Sequence, residues 1–136
     1  SSPLAVRASE SPSSGVCWSP ELVHTIRFES ARRLTKLPPT HRCSNLYGLA
    51  FHLDIHVMGP LQPSGFVIDF ADIEAAFAPL YDQLDHHYLN EIDGLENPTS
   101  EVLVAWIWAH LAPKLPGLIT LTLRENDVSR VIYRGP

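Results

Sequence analysis

The chain has 136 residues, 45% of them apolar and 18% charged, with a formal net charge of -5. That is enough chain for one domain with a real core, and the composition is ordinary for a globular protein. The acidic balance without a basic patch argues against nucleic acid as a partner. Its apolar runs fall short of the roughly 18 residues needed to cross a bilayer. No charged-then-apolar segment opens the chain, so no membrane association and a cytoplasmic location are expected. Two cysteines, Cys17 and Cys43, without a CxxC spacing do not suggest a disulfide framework.

Residues 1–20 are rich in serine and proline and poor in apolar side chains, which predicts a flexible arm ahead of a single domain over 21–136. From Leu22 the pattern alternates. Leu22, His24, Ile26 and Phe28 share one face of a strand, and the same parity turns Ser30 and Arg32 inward. Pro38-Pro39 break regular structure in a loop that ends at Cys43. The second alternation is the clearest: Tyr47, Leu49, Phe51, Leu53, Ile55 and Val57 on one face, His52, Asp54 and His56 on the other. After a turn through Gly59-Pro60 and Ser64-Gly65, Asp69 is placed to cap a helix carrying Phe70, Ile73, Phe77, Leu80 and Leu84, with Pro79 expected to end or bend it early.

A polar loop over 90–97 precedes a second helix that starts at Pro98-Thr99. Its stripe is Val102, Leu103, Trp106, Ile107, His110 and Leu111, and Trp106 and Trp108 read as core or interface residues. Alternation then returns with Ile119, Leu121, Leu123 and Glu125 on one face, followed by a last strand from Val128 to Tyr133 after the Asn126-Asp127 turn. Two strands, two helices and two strands predict an α+β domain: a four-stranded antiparallel sheet with both helices on one face.

Four features could carry chemistry. Cys43 is a candidate base or nucleophile if a neighbour lowers its pKa, or else a buried small hydrophobe. Asp85 next to His86 offers a carboxylate that orients an imidazole, a proton-transfer pair suited to neutral pH, or else a surface pair. Glu125 falls on an apolar face, where a carboxylate must be paired or must await a ligand, unless the strand frays before it. His52, Asp54 and His56 at alternate positions could ligate zinc, or simply face water or a barrel lumen.

Taken together, Phe28-Glu29-Ser30-Ala31-Arg32-Arg33-Leu34, Cys43 to Leu49, Gly65 to Phe70, Leu84-Asp85-His86 with Leu89-Asn90, Pro98-Thr99-Ser100-Glu101 and Leu123-Arg124-Glu125 resemble, in order and spacing, the pyruvoyl- and carboxy-tetrahydropterin synthases. The resemblance covers about residues 22–134. It implies the tunnelling fold, in which subunits pool their sheets into a barrel, as a homo-oligomer (trimer or hexamer) with sites between subunits acting on a small molecule. It also implies that Cys43 is the catalytic thiol, that Asp85 and His86 complete a proton relay, and that Glu125 anchors the substrate ring. The family's three zinc histidines correspond here to Arg32, Tyr47 and Leu49, with Gly48 of the His-Gly-His motif kept.

An arginine, a phenol and an alkyl chain do not make a zinc site, so no cofactor is expected. Arg32 instead offers a fixed cation to a substrate carboxylate, with Tyr47 adding a hydroxyl. These readings converge on a metal-independent lyase or cyclase. It would condense or cyclise an amine- and carboxylate-bearing molecule, for example by Pictet-Spengler chemistry in specialised metabolite biosynthesis. Rival expectations are a pterin-type lyase with its metal moved to His52, Asp54 and His56, a non-catalytic binding module, and a structural subunit.

Overall fold

The computed structural model describes residues 20–136, so all of the expected arm except Pro20 lies outside the described residues. Strand β1 spans Glu21–Arg32 and β2 Tyr47–Met58, and they pair antiparallel along their whole length. Helix α1 covers Phe70–Leu84, β3 His87–Tyr88, α2 Ser100–Leu111, β4 Leu118–Arg124 and β5 Arg130–Tyr133. The sheet has five strands in the order β3-β1-β2-β4-β5, one more than expected. The extra strand is two residues long and pairs parallel to β1, Ser30 with His87 and Ala31 with Tyr88. A segment that short has no alternation to reveal it in the sequence.

Parity decides which face is covered. Phe28 of β1, Phe51, Leu53 and Ile55 of β2, and Leu121 and Leu123 of β4 are fully buried beneath Ile73, Phe77, Leu80 and Leu84 of α1 and Leu103, Val104 and Ile107 of α2. Burying each such side chain contributes about 1.5–3 kcal/mol, so this layer is what holds helices to sheet. The same parity makes Ser30 and Arg32 polar residues of the buried face, as the alternation predicts. Two residues of the expected stripes, Phe70 and Val102, are exposed. His110 is exposed as well, while its Nδ1 sits 2.8 Å from the Trp106 carbonyl oxygen. Val104 takes the buried place that Val102 does not.

Asp69 caps α1 by accepting from the Ala71 N–H, and Thr99 caps α2 by accepting from the Val102 N–H. Pro79 neither ends nor shortens α1, which runs five residues past it to Leu84. The reason is its direction: Pro79 and Ala75, whose carbonyl loses its helical partner, both face solvent. Water can satisfy that carbonyl. Between β2 and β4 the register shifts at His56/Val57. Beside that irregularity a side chain on Gly117 would collide with the Met58 carbonyl and Val57, each 2.8 Å from the added carbon.

Candidate functional site

Three strands deliver Arg32, Tyr47 and Glu125 to one place. Arg32 closes β1, Tyr47 opens β2 directly opposite it, and Glu125 follows the last residue of β4 on the face of Leu121 and Leu123. Arg32 is 3% exposed and spends four of its five N–H groups inside the chain. Nε donates to the Tyr47 hydroxyl at 2.9 Å, and Nη1 donates to the Pro98 carbonyl at 3.1 Å and to Ser100 Oγ at 3.3 Å. Nη2 lies 3.0 Å from Glu125 Oε2 in an ion pair. The guanidinium also lies over the rings of Tyr47 and Phe51, 5.4 and 5.5 Å from their centroids.

Ser100, buried at the start of α2, completes the arrangement by donating its own hydroxyl to Glu125 Oε2. The Glu125 side chain keeps 31% of its surface exposed. It opens on a depression of about 370 Å³ lined also by Glu101, Asn126, Ser129 and Arg130. Glu125 is therefore inward and paired, as its parity requires. Its partner is the chain's own arginine. The cation that the sequence offers to a substrate carboxylate is taken up internally, a pairing across three strands that no local pattern reveals.

Cys43 sits in a single 3-10 turn, Arg42–Ser44, and is half-buried. The turn is held by the Cys43 N–H donating to His41 Nδ1 at 3.0 Å and by the Leu34 N–H donating to the Cys43 carbonyl at 2.9 Å. Its thiol neighbours Tyr47. Burial raises the Tyr47 phenol above its ordinary range, the Arg32 hydrogen bond opposes the rise, and the Cys43 thiol adds to it. Tyr47 thus stays a neutral phenol that accepts from Arg32 and has its own proton to give.

Asp85 and His86 stand apart from this group, at the sheet edge. Asp85 closes α1, with its N–H on the Tyr81 carbonyl at 2.8 Å. Its Oδ1 accepts from the Glu29 N–H at 2.9 Å, and Oδ2 lies 2.6 Å from His86 Nδ1. The His86 N–H donates to the Glu29 carbonyl at 2.5 Å, so both backbone groups of Glu29 are used in holding the pair. His86 adopts a φ of 56°, a left-handed conformation that a non-glycine residue takes at some cost. Its ring is 76% exposed while the Asp85 carboxylate is 16% exposed. The hydrogen bond from the Glu29 backbone, then the one to His86, holds the Asp85 carboxyl below its ordinary range. The bond to Asp85 in turn raises the His86 imidazole. An open groove of about 530 Å³ runs past His86, lined by Glu29, Ala31, Gly48, Leu49, Ala50 and Tyr88 among others.

The predicted residues thus form two groups: Arg32, Tyr47, Cys43 and Glu125 over the helix-facing side of the sheet, and Asp85 with His86 on the edge groove. The groove and the depression at Glu125 share no lining residue. Sequence reasoning passed over Ser100, whose one signal is a small polar residue on the inner side of a helix start. It also passed over Tyr81, one turn before Asp85, whose phenol hydrogen-bonds that carboxylate and is raised by burial and then by the Asp85 charge.

Neither group makes a metal centre. Among the described residues no three His, Cys, Asp or Glu side chains cluster as ligands would. A guanidinium, already a cation, fills the position next to Tyr47, and Leu49 supplies no donor. His52, Asp54 and His56 are spread along the outer face of the sheet. There Asp54 accepts from Thr25 Oγ1 at 2.7 Å and from Arg124 Nη2 at 3.0 Å, and His56 Nδ1 lies 2.6 Å from Glu21 Oε2.

Residues 21–136 match the model of the 6-pyruvoyl tetrahydropterin synthase family. The chain belongs to this family. It is 36% identical over 118 residues to a 6-carboxy-5,6,7,8-tetrahydropterin synthase of Synechocystis, covering 80% of this chain and 88% of that one. A dihydroneopterin monophosphate aldolase of Pyrococcus furiosus is 34% identical over 76 residues, covering 56% of this chain and 64% of the relative. The fold superposes on the Caenorhabditis elegans 6-pyruvoyl tetrahydropterin synthase with a TM-score of 0.80 at 20% identity, covering 88% of this chain and 98% of that one. The family's fold, an antiparallel core sheet with two helices on one face, is therefore this chain's fold. Among the described residues no helix is long and apolar enough to cross a membrane.

Proposed function

We propose that this family member is a metal-independent acid-base lyase or cyclase that closes or opens a ring in a small molecule bearing N–H groups. The observation that carries this is the buried Arg32 guanidinium bonded to Tyr47, Ser100 and Glu125 where a metal ligand would be needed. A second group, the Asp85–His86 pair at the sheet edge, adds an imidazole raised by its carboxylate partner. Glu125 holds a ring or amine N–H of the substrate. Cys43 and Tyr47 wall the reacting carbon, and His86, oriented by Asp85, moves the proton. The two groups lie on separate depressions of one chain, so the working site forms between copies in a homo-oligomer. The exposed apolar residues Val128 and Ile132, at the β4–β5 turn and on the edge strand β5, support such an assembly.

Ring closure of the Pictet-Spengler type fits this set. An amine nitrogen adds to a carbonyl carbon, the imidazolium of His86 protonates the departing hydroxyl as water, and the iminium carbon is attacked by a ring carbon. Neutral imidazole then takes the proton lost from that ring carbon, so proton transfer and orientation suffice. Arg32 has one N–H left, so a substrate carboxylate at that residue is not part of this reading.

The test is to incubate chelator-treated protein with paired amines and aldehydes and follow product formation by mass spectrometry. Condensation with loss of water that survives chelation and is abolished by His86→Ala supports the reading. Turnover that appears only on adding zinc sinks it in favour of a metal-assisted lyase. Ligand bound at Glu125 without turnover, and with no dependence on His86, identifies a binding module.

A further inference from the structure

Both internal contacts to the Glu125 carboxylate, from Arg32 Nη2 at 3.0 Å and from Ser100 Oγ, fall on Oε2. Among the described residues none falls on Oε1. The carboxylate is thus held by one oxygen, its other oxygen is left without an internal contact, and the residue lines the depression shared with Glu101, Asn126, Ser129 and Arg130. Its negative charge is balanced by a guanidinium that is 3% exposed and fixed in turn by Tyr47 and Pro98. A ligand that meets Oε1 meets an oriented acceptor in an ion pair with no net charge. A neutral N–H donor gains a full hydrogen bond there. A cationic donor gains the same bond, little net attraction, and the nearby positive charge of Arg32.

We propose that Arg32 is a specificity-determining residue: as the built-in counter-ion of Glu125 it selects ligands that offer an uncharged N–H, such as a lactam or aminopyrimidine edge, over ammonium or amidinium cations. This rests on the reading of Glu125 as the ligand anchor and adds the charge class of the group it anchors. Arg32 and Ser100 take both lone pairs of Oε2, so the ligand's N–H is met by Oε1. Arg32 touches no ligand and acts through the carboxylate it holds.

The experiment uses the full chain and two probes of similar N–H geometry, neutral pterin and cationic benzamidine, with dissociation constants measured by fluorescence and calorimetry. Wild-type protein should prefer pterin, with an affinity that is flat across salt concentration because no net charge is neutralised. Arg32→Met should move the preference at least about tenfold toward benzamidine, since the carboxylate is then unbalanced. Arg32→Lys, which keeps the charge and loses the fork, should retain the wild-type preference at lower affinity. If the methionine variant does not fold by circular dichroism, the lysine variant and the wild-type salt profile decide. A wild type that prefers benzamidine or binds neither probe, a preference unmoved by Arg32→Met, or pterin binding that weakens steeply with salt overturns the proposal. Glu125→Gln separates the two layers. Pterin binding that survives it removes the anchor reading itself, whereas binding lost there with a preference indifferent to position 32 removes only the role of Arg32.

Discussion

Arg32 shows how far a single residue can be read from its neighbours. Alternation in β1 correctly turns it inward, and a buried arginine must be bonded. Its partners come from β2, the Pro98 loop, α2 and the end of β4, and local periodicity is silent about all of them. Arg32→Ala, which strands Glu125 beside Ser100 without its counter-ion, should destabilise the fold by about 3–5 kcal/mol in urea unfolding. The paired replacement Arg32→Met with Glu125→Gln should cost clearly less than the sum of the two single changes, because the residues share one interaction.

His86 belongs to the same scale. Its imidazole is raised by the Asp85 carboxylate, so in an NMR pH titration its midpoint should lie above the ordinary value of about 6.5 and return toward it in Asp85→Asn. The signs set a window. The stability from His86 is full below the unfolded imidazole value and is lost as pH rises through the raised one. The part from Asp85 is present above the unfolded carboxyl value and is lost as pH falls through the lowered one. Proton donation by His86 should likewise persist to higher pH than for a free imidazole, which a pH–rate profile reads directly.

At the scale of elements, the long strands and both helices are legible because their periods are sustained, and the caps Asp69 and Thr99 act as the sequence implies. Elements that depend on distant partners are not legible. β3 exists because His86 and Asp85 hold both backbone groups of Glu29, which sets the next residues parallel to β1. Pro79 shows the opposite error, a strong local signal overridden because it falls on the solvent face of a helix anchored by Ile73, Phe77, Leu80 and Leu84. Proline still removes a helical hydrogen bond and stiffens the unfolded chain in return. Pro79→Ala should therefore stabilise the protein by about 2 kcal/mol, visible as a raised Tm.

For the whole molecule, the decisive fact is that the Asp85–His86 pair and the Glu125 carboxylate face different depressions. If the working site spans two copies, His86→Ala and Glu125→Gln chains should each be inactive alone. Mixed after unfolding and refolding together, they should regain a fraction of wild-type activity from the interfaces that combine one intact half from each. Equal inactivity in the mixture places both halves of the site in one chain. Family and fold were readable from ordered motifs spread along the chain. The separation of Asp85 and His86 from Glu125 was not, since sequence order carries no information about which face of a sheet a loop returns to.

The ion pair between Arg32 and Glu125 also constrains how this lineage can change. A histidine placed at position 32 alone would strip Glu125 of its counter-ion and leave Tyr47 and Leu49 unable to complete a metal site. A histidine at position 32 therefore yields a chain with a poorer fold and no compensating chemistry. Positions 32 and 125 are thus coupled, and a change at one is tolerated best when the other changes with it.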